Sequence, residues 1–179
     1  VYLPGFTFDS NTVSYYEGRL GERRTRTVRT SNGNTRTETY LEGHYVSGTF
    51  NKFFDDVMIS SGVTSQKELD SLKPFRADTI RVYGNEYLSG HAAGHYVRNI
   101  GECWGDAKKI IDSTLRNDIL RSYGYDVIDY LHVSTRHNDV TYKYVLLPVD
   151  RLNFRFKKKD YNVSVNGNTG RITGKTPVS

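Results

Sequence analysis

Residues 127–174 read VIDYLHVSTRHNDVTYKYVLLPVDRLNFRFKKKDYNVSVNGNTGRITG. Val, Tyr, Phe and Leu are frequent in this stretch, and these residue types suit a pleated, half-buried surface. The pattern predicts consecutive β-strands at Val127–Thr135, Val140–Leu147, Leu152–Phe156, Tyr161–Val165 and Arg171–Gly174. The Asn-Gly-Asn-Thr-Gly segment at 166–170 predicts a tight turn, because Asn and Gly tolerate positive φ angles. This part of the chain is therefore predicted to form a sheet.

Two histidines, His132 and His137, lie near the predicted end of the first of these strands. As an acid–base pair they would need a nucleophile beside them, and the neighbouring sequence supplies none. His137-Asn138-Asp139 is more simply interpreted as the turn that joins two strands.

The composition is that of a basic, tyrosine-rich globular chain. It has 179 residues, a net charge of +5, fourteen Tyr, eight Phe and a single cysteine, Cys103. One cysteine excludes an intrachain disulfide and fits a reducing compartment. The charge is compatible with binding to nucleic acid or to an anionic membrane surface and requires neither. No stretch of the sequence is long and apolar enough to span a bilayer.

A second region, from Ser14 to Phe50, alternates Arg and Glu with Thr around an Asn-Gly pair at 32–33. Asn-Gly between β-branched residues predicts a β-hairpin, here over about residues 17–42. Neither face is apolar near the tip, so the hairpin is predicted to project into solvent or onto a partner. Its candidate partner-binding residues are six arginines: Arg19, Arg23, Arg24, Arg26, Arg29 and Arg36.

These arginines have two interpretations. In one, the hairpin is a basic finger that contacts phosphates. In the other, it is a solvated hairpin whose cross-strand Arg–Glu pairs each contribute little. The carboxylates that oppose the arginines are Glu17, Glu22, Glu38 and Glu42, which leaves a net charge of +2. Because so many carboxylates are interleaved, the sequence favours the solvated hairpin.

Two helices are predicted between the hairpin and the sheet. Ser65 and Glu68 form a capping box that opens a short helix, and Pro74 stops it. Apolar residues at 3–4-residue spacing predict the main helix at about 101–122. Cys103 lies on or near its apolar stripe and is predicted to be a buried structural thiol.

Together these elements predict an α+β fold. A twisted antiparallel sheet would pack against one main helix at about 101–122, with the hairpin at about 17–42 projecting from it. The whole chain, residues 1–179, would form a single domain of ordinary size.

One pattern suggests a metal site: His91 and His95, four residues apart. On a helix they would share a face, but Gly90 and Gly94 disfavour a helix there and no further ligand follows. Asp55-Asp56 likewise lacks a third oxygen ligand at loop spacing. The chain also has none of the glycine-rich or nucleophile-elbow motifs of nucleotide-binding proteins and hydrolases. We therefore predict no catalytic residue, no metal and no cofactor.

Motifs over nearly the whole chain carry a family resemblance: Tyr2–Asp9 with Tyr16 and Gly18, Val46-Ser47-Gly48, Phe53–Val57, Leu72–Phe75, Tyr87–Gly90, Val140–Val149 and Val165–Gly174. They are similar to those of bacterial proteins of unknown function described as transcription-factor-IIB-type zinc-ribbon proteins. In that family an N-terminal zinc ribbon precedes a β-rich domain, and many members end in a membrane helix. The paired cysteines of the ribbon are missing here, so the resemblance transfers no zinc site.

The resemblance implies a function, because members of the family look like adaptors at the inner face of the membrane in envelope-stress systems. It implies a non-enzymatic, cytoplasmic adaptor or assembly module, held at the membrane through flanks beyond this sequence. It would act through protein–protein contacts or self-assembly, and we expect the contact surfaces to be the hairpin and exposed Tyr and Phe residues of the sheet. The alternatives are a nucleic-acid-binding accessory domain that uses the basic hairpin, and a hydrolase or metal enzyme built on His91, His95 and His132.

Overall fold

The computed structural model describes residues 2–76, 81–82 and 97–176. Its elements, in chain order, are β1 (Tyr2–Arg29), β2 (Thr35–Ser60), α1 (Gln66–Leu72), β3 (Arg81–Val82), α2 (Ile100–Tyr123), β4 (Val127–Phe156), β5 (Lys159–Asn166) and β6 (Ile172–Gly174). The strands form a six-stranded sheet in the order β2-β1-β4-β5-β6, and β3 pairs with β4. The pairs β3–β4, β4–β5 and β5–β6 are antiparallel.

The predicted α+β class is wrong. Of the residues that the structure describes, 61% are in strands and 20% in helices, so this is a β-rich fold built mainly on antiparallel sheet. The difference arises because β1, β2 and β4 are 28, 26 and 30 residues long, where the sequence predicted shorter strands separated by turns. The predicted hairpin at 17–42 is only the distal part of a longer hairpin, whose two strands are β1 and β2.

Two aspartates in a left-handed conformation lie inside the long strands. Asp139 lies inside β4 and Asp56 inside β2, and both have a φ of +50°. Asp tolerates this left-handed conformation, which occurs in turns and also at β-bulges within continuous strands. The predicted turn at His137-Asn138-Asp139 is therefore an irregularity inside a continuous strand.

The chain forms two compact units. Unit 1 comprises Val1–Asp9, Asp55–Lys109 and Thr141–Ser179, and unit 2 comprises Ser10–Phe54 and Ile110–Val140. The strands β1, β2 and β4 and the helix α2 each contribute residues to both units.

Unit 1 has an aliphatic core that includes α1. A single buried cluster is formed by Leu3, Met58, Leu69, Leu72, Val145, Leu147 and Val149. The helix begins as the capping box predicts: the Ser65 hydroxyl accepts a hydrogen bond from the Glu68 amide at 3.1 Å. Asn166 links the predicted turn at 166–170 to the other end of α1, because its Nδ2 donates to the carbonyls of Leu72 (2.8 Å) and Pro74 (2.9 Å).

The first half of α2 belongs to unit 1 and places Cys103 and Ala107 in its interior, both fully buried. The Cys103 thiol donates a weak hydrogen bond to the Ser60 carbonyl, with 3.7 Å between sulfur and oxygen. Burial raises the pKa of the Cys103 thiol, so the thiol stays protonated at neutral pH. The predicted burial of Cys103 is confirmed.

The second half of α2 forms the core of unit 2. Its fully buried residues recur every fourth position at Ile111, Leu115 and Ile119, and strand residues Leu20, Phe54 and Leu131 are buried in the same unit. Polar contacts tie the helix to the strands around this core. Arg116 donates to the Leu131 carbonyl at 2.6 Å, and the hydroxyls of Tyr16 and Tyr123 share a hydrogen bond of 2.8 Å.

The central position of Leu115 leads to a test of this core. We expect Leu115→Ala to lower the free energy of unfolding by about 2–5 kcal/mol, because it removes buried methyl groups and leaves a cavity. Urea denaturation followed by circular dichroism measures the loss. Asn117→Ala, at an exposed position of the same helix, is the matched control and should change stability by less than about 0.5 kcal/mol. Equal effects of the two substitutions would contradict this description of the core.

Candidate functional site

The distal part of the β1–β2 hairpin, residues 22–42, is the candidate partner-binding surface, and we term it the arginine end. None of its side chains is buried. Thr30 and Asn34 close the tip: the Thr30 amide donates to the Asn34 carbonyl at 2.7 Å, and Gly33 has a φ of +79°. The Asn-Gly turn is thus where the sequence predicted it. A two-stranded ribbon without a buried face gains little from the hydrophobic effect.

Two glycines lie at the base of the arginine end. A Cβ atom on Gly21 would lie 2.1 Å from the Glu42 carbonyl oxygen, and one on Gly43 would lie 2.7 Å from Nε of Arg19. The Arg19 side chain therefore passes over a surface that only glycine leaves open. It continues to Asp129 on β4, where Nη1 and Oδ2 form an ion pair at 3.0 Å. Arg19 thus lies at the base of the ribbon, in an ion pair within unit 2.

Most of the candidate arginines of the arginine end already contact carboxylates. Arg24 pairs with Glu42 (2.8 Å) and Glu22 (2.9 Å). Glu38 accepts from Arg26 at 3.2 Å and also from Arg36. The hydrogen bond to Glu42, with the charge of Glu22, raises the pKa of the Arg24 guanidinium.

Of the six candidate arginines, Arg23 and Arg29, both exposed, have no ion pair with a carboxylate among the described residues. Three of the five arginines between residues 22 and 42 are thus paired with carboxylates, which favours the solvated-hairpin interpretation over the phosphate-binding finger. That the six arginines bind a partner stays a prediction.

Two tyrosines give this hairpin an apolar component. Tyr40 is 43% exposed and Tyr45 is 80% exposed. The Arg26 guanidinium lies 5.5 Å from the centre of the Tyr40 ring, and that of Arg19 lies 5.9 Å from the centre of the Tyr45 ring. Tyr and Arg are enriched in protein–protein interfaces, where the ring supplies area and the guanidinium supplies directed donors.

A second constellation lies in unit 1, where Asp9, Asp55 and Asp56 place carboxylate oxygens within 4.8 Å of one another. Asp9 is the third oxygen ligand that the sequence could not supply to the Asp55-Asp56 pair. These three residues could hold a hard cation such as Ca²⁺. However, the Lys143 ammonium already lies 3.3 Å from Oδ1 of Asp56 and 3.6 Å from Oδ2 of Asp9. Lys143 supplies the positive charge that a metal ion would otherwise provide.

Hydrogen bonds to the Asp9 carboxylate stabilise its ionised form. Partial burial acts to raise the pKa of the Asp9 carboxyl, but hydrogen bonds from the Asp56 amide (2.8 Å) and the Thr141 hydroxyl (3.0 Å), together with the charge of Lys143, lower it overall. The left-handed conformation of Asp56 directs its amide to Asp9, 47 residues earlier in the chain. The sequence did not predict that Asp9, Thr141 and Lys143 take part in this cluster. Its only local indication was an acidic residue, Asp56, of a type that tolerates positive φ.

An open polar pocket of about 510 Å³ lies in unit 1 between α1 and the strands β4–β6, and Glu68, Arg151 and Asn162 are among its lining residues. Partial burial acts to raise the pKa of Glu68, but hydrogen bonds from the hydroxyls of Thr64 (2.6 Å) and Ser164 (2.7 Å) lower it overall. A carboxylate held ionised by two donors is a structural link between α1 and β5, and it is poorly suited to act as a general acid.

Of the histidines considered in the sequence, His132 and His137 lie among the described residues. His91 and His95 lie outside the described residues. The His132 ring lies against Tyr130, with 5.4 Å between ring centres, and His137 Nε2 lies 3.4 Å from a carboxylate oxygen of Asp112. Neither contact includes a nucleophile.

Comparison with known proteins finds a relative of low sequence identity. The chain is 25% identical over 190 residues to the uncharacterized protein YdjG of Bacillus subtilis (strain 168). The match covers the whole chain and 52% of YdjG, so the chain spans about half the length of this curated relative. No protein-family model matches the chain, and neither does a solved structure.

Neither of the two described helices is both long enough and apolar enough to cross a membrane.

The Asp9 cluster predicts a pH-dependent stability. Because the pKa of Asp9 is below its ordinary value of 3.8 in the folded chain, its contribution is present above that pH and is lost as the pH falls through the folded pKa. We expect Asp9→Asn to lower the free energy of unfolding at pH 7 by about 1–3 kcal/mol. Urea denaturation at pH 7 and near pH 3 measures the change, which should shrink in acid.

Asp160→Asn is the matched control for that measurement. Asp160 also faces a cation, Arg155 at 3.3 Å, but the two side chains are 76% and 71% exposed. Its removal should cost less than about 0.5 kcal/mol. A loss for Asp9→Asn that is no larger than that of the control, or that stays constant into acid, would contradict the assigned role of Asp9.

Proposed function

We propose that the chain is a non-enzymatic adaptor or assembly module that binds a protein partner through the arginine end. The observation that carries the proposal is a two-stranded ribbon with no buried side chain, whose charges are paired across and along the strands. Such a surface offers alternating donors and acceptors in a fixed order, with exposed tyrosines beside them. It is complementary to another protein surface with the opposite order of charges.

The charge distribution supports a protein partner over a nucleic acid. A phosphate-binding finger needs unneutralised Lys and Arg, because affinity comes from the release of counterions at each phosphate contact. Here Arg24, Arg26 and Arg36 each have a carboxylate partner within the hairpin. Binding phosphates would require these pairs to be broken, and the separated glutamates would repel the phosphate backbone.

The cellular setting is part of the proposal and rests on the resemblance to the transcription-factor-IIB-type zinc-ribbon proteins. We place the module at the cytoplasmic face of the membrane, in an envelope-stress-type complex.

The contact can be tested by site-specific photocrosslinking in the native host. We expect a photoreactive amino acid at the exposed position Thr37 to form a discrete adduct with one protein species. The same probe at Lys109, whose side chain is 81% exposed in unit 1, should not form this adduct. Mass spectrometry of the adduct identifies the partner. Adducts that are the same at both positions, or none at Thr37, would rule out the arginine end as the contact.

A shortened hairpin tests the same contact without a probe. The pairs Arg26–Glu38 and Thr30–Asn34 are centred on the same point of the hairpin, so replacing residues 24–40 by Asn-Gly keeps the two strands paired. We expect this variant to recover at least about tenfold less of the partner protein that crosslinking identified. Truncating an interface hot spot costs about 2 kcal/mol or more. Circular dichroism checks that the rest of the chain is folded. Unchanged recovery from a folded variant would exclude the proposed role.

Titration of a labelled DNA duplex between 50 and 200 mM salt distinguishes the nucleic-acid alternative. We expect weak binding that does not change when Arg24 and Arg26 are replaced by Ala. A steep salt dependence whose slope falls by about two in this double variant would instead support a nucleic-acid function.

A further inference from the structure

A second hairpin, closed between β4 and β5, has a chemistry unlike that of the arginine end. We term residues 150–161 the lysine hairpin. Its register pairs Leu152 with Val163, Phe154 with Tyr161 and Phe156 with Lys159. Because directly opposed residues on antiparallel strands point to the same face, Leu152, Phe154 and Phe156 lie on one face with Tyr161. The Phe154 and Tyr161 rings stack there, with 5.5 Å between their centres.

This apolar face extends onto β6 and is open to solvent. Ile172 pairs with Val165, which opposes Asp150, so Ile172 projects from the same side of the sheet. The exposed fractions are 53% for Leu152, 41% for Phe154, 44% for Phe156 and 58% for Ile172. Large apolar side chains that are contiguous and exposed mark a binding surface more often than a solvated one.

The opposite face of the same strands is polar and is partly covered by α1. Arg151 opposes Ser164, Asn153 opposes Asn162 and Arg155 opposes Asp160. Ser164 is buried and donates to Glu68 of α1 at 2.7 Å. Nearer the base of the hairpin, the same face carries Val149, which belongs to one buried cluster with Leu69 and Leu72 of α1. Within the lysine hairpin, the described residues leave the apolar face exposed.

Three consecutive lysines lie at the end of this apolar face. Lys157 and Lys158 form the turn in the left-handed conformation, with φ values of +47° and +63°. Two-residue turns of this kind prefer Asn-Gly, so two lysines here cost backbone energy that a turn of ordinary composition would avoid. The Lys157 ammonium lies 5.3 Å from the centre of the Phe156 ring. The lysine hairpin has five cationic side chains and two carboxylates, Asp150 and Asp160.

We propose that the lysine hairpin and the apolar face beside it bind the surface of an anionic lipid bilayer. Leu152, Phe154, Phe156 and Ile172 enter the boundary between headgroups and acyl chains, and the lysines contact lipid phosphates. Lysine suits this position because its aliphatic stem covers apolar surface while its ammonium reaches the headgroups. Acyl chains offer no hydrogen-bond donors or acceptors, and these four inserted side chains require none. The proposal does not depend on the protein contact of the arginine end.

The charge of the lysine hairpin favours a lipid surface over a second copy of the chain as the binding partner. A symmetric contact through this face would bring two identical lysine-rich hairpins close to the same interface, where like charges repel. An anionic bilayer offers both negative charge and an apolar interior, and its surface attracts clusters of Lys and Arg.

Vesicle flotation with the full chain tests the proposal. The probe is a set of unilamellar vesicles of phosphatidylcholine, alone or with 40% phosphatidylglycerol, at 150 mM salt. We expect binding to the anionic vesicles at least about tenfold stronger than to the neutral ones. The triple variant K157E/K158E/K159E should bind the anionic vesicles at least about tenfold more weakly than the unaltered chain. Its matched control, R23E/R24E/R26E, makes the same change in net charge on the arginine end and should bind within about threefold of the unaltered chain.

The apolar contribution is tested separately with the double variant Phe154→Ser and Phe156→Ser. These side chains are exposed, so the fold should persist by circular dichroism, and binding to anionic vesicles should fall at least about tenfold. A Phe156→Trp variant should show a blue-shifted emission and quenching by brominated lipid, which report insertion. The lysine variant, which keeps both phenylalanines, tests the proposal even where the double variant does not fold.

Several outcomes would overturn the proposal. One is equal binding to neutral and anionic vesicles. Another is equal loss in the two charge-reversal variants, which would indicate diffuse attraction to the whole chain. Binding that is unchanged in the double serine variant would exclude insertion. A face that instead mediates dimers in sedimentation, or that forms a photocrosslink to a protein, would assign it to that partner. The Thr37 crosslink should persist in the lysine variant, so failure of this proposal is distinguishable from failure of the adaptor function.

Discussion

Three strands of 28, 26 and 30 residues impose the main constraint on this protein, because the mean strand of a globular protein has only about 5–6 residues. Each strand must pair its amides and carbonyls along its whole length, while the apolar side chains suffice to bury only parts of it. The described helices cover two such parts, with Leu69 and Leu72 in unit 1 and Leu115 and Ile119 in unit 2. The remaining lengths of strand are left as exposed hairpins, and both candidate binding surfaces follow from this.

Both hairpins are exposed to solvent, but the chemistry of their surfaces differs. In the arginine end most of the charges are paired inside the ribbon, and no side chain is buried. In the lysine hairpin one face is apolar and the lysines are not balanced by neighbouring carboxylates. The first arrangement suits a partner with directional polar groups, whereas the second suits a partner with negative charge and no directional requirements. Each unit thus carries one chemically distinct hairpin surface, the arginine end in unit 2 and the lysine hairpin in unit 1.

Local signals in the sequence predicted local structure well. The Ser65 cap, the turn at 166–170 and the Asn-Gly tip are formed because each depends on residues within a few positions of one another. The continuity of the strands was not predictable in the same way. A left-handed Asp139 is compatible with either a turn or a bulge. Which of the two forms depends on pairing with a strand more than a hundred residues away. For the same reason Asp9 and Lys143 could not be joined to Asp55-Asp56, whereas the pairing of arginines with glutamates in one hairpin could be foreseen.

The position of β2 at the end of the strand order has a consequence for the behaviour of the chain at high concentration. A terminal strand of 26 residues presents a long row of backbone donors and acceptors to any other extended segment, and it invites edge-to-edge polymerisation. The alternating Arg, Glu and Thr side chains of its distal half oppose this, since an incoming copy would have to match charges of both signs in register. The paired charges of the arginine end would therefore favour colloidal solubility as well as the proposed recognition of a partner, and selection for either property would maintain the other.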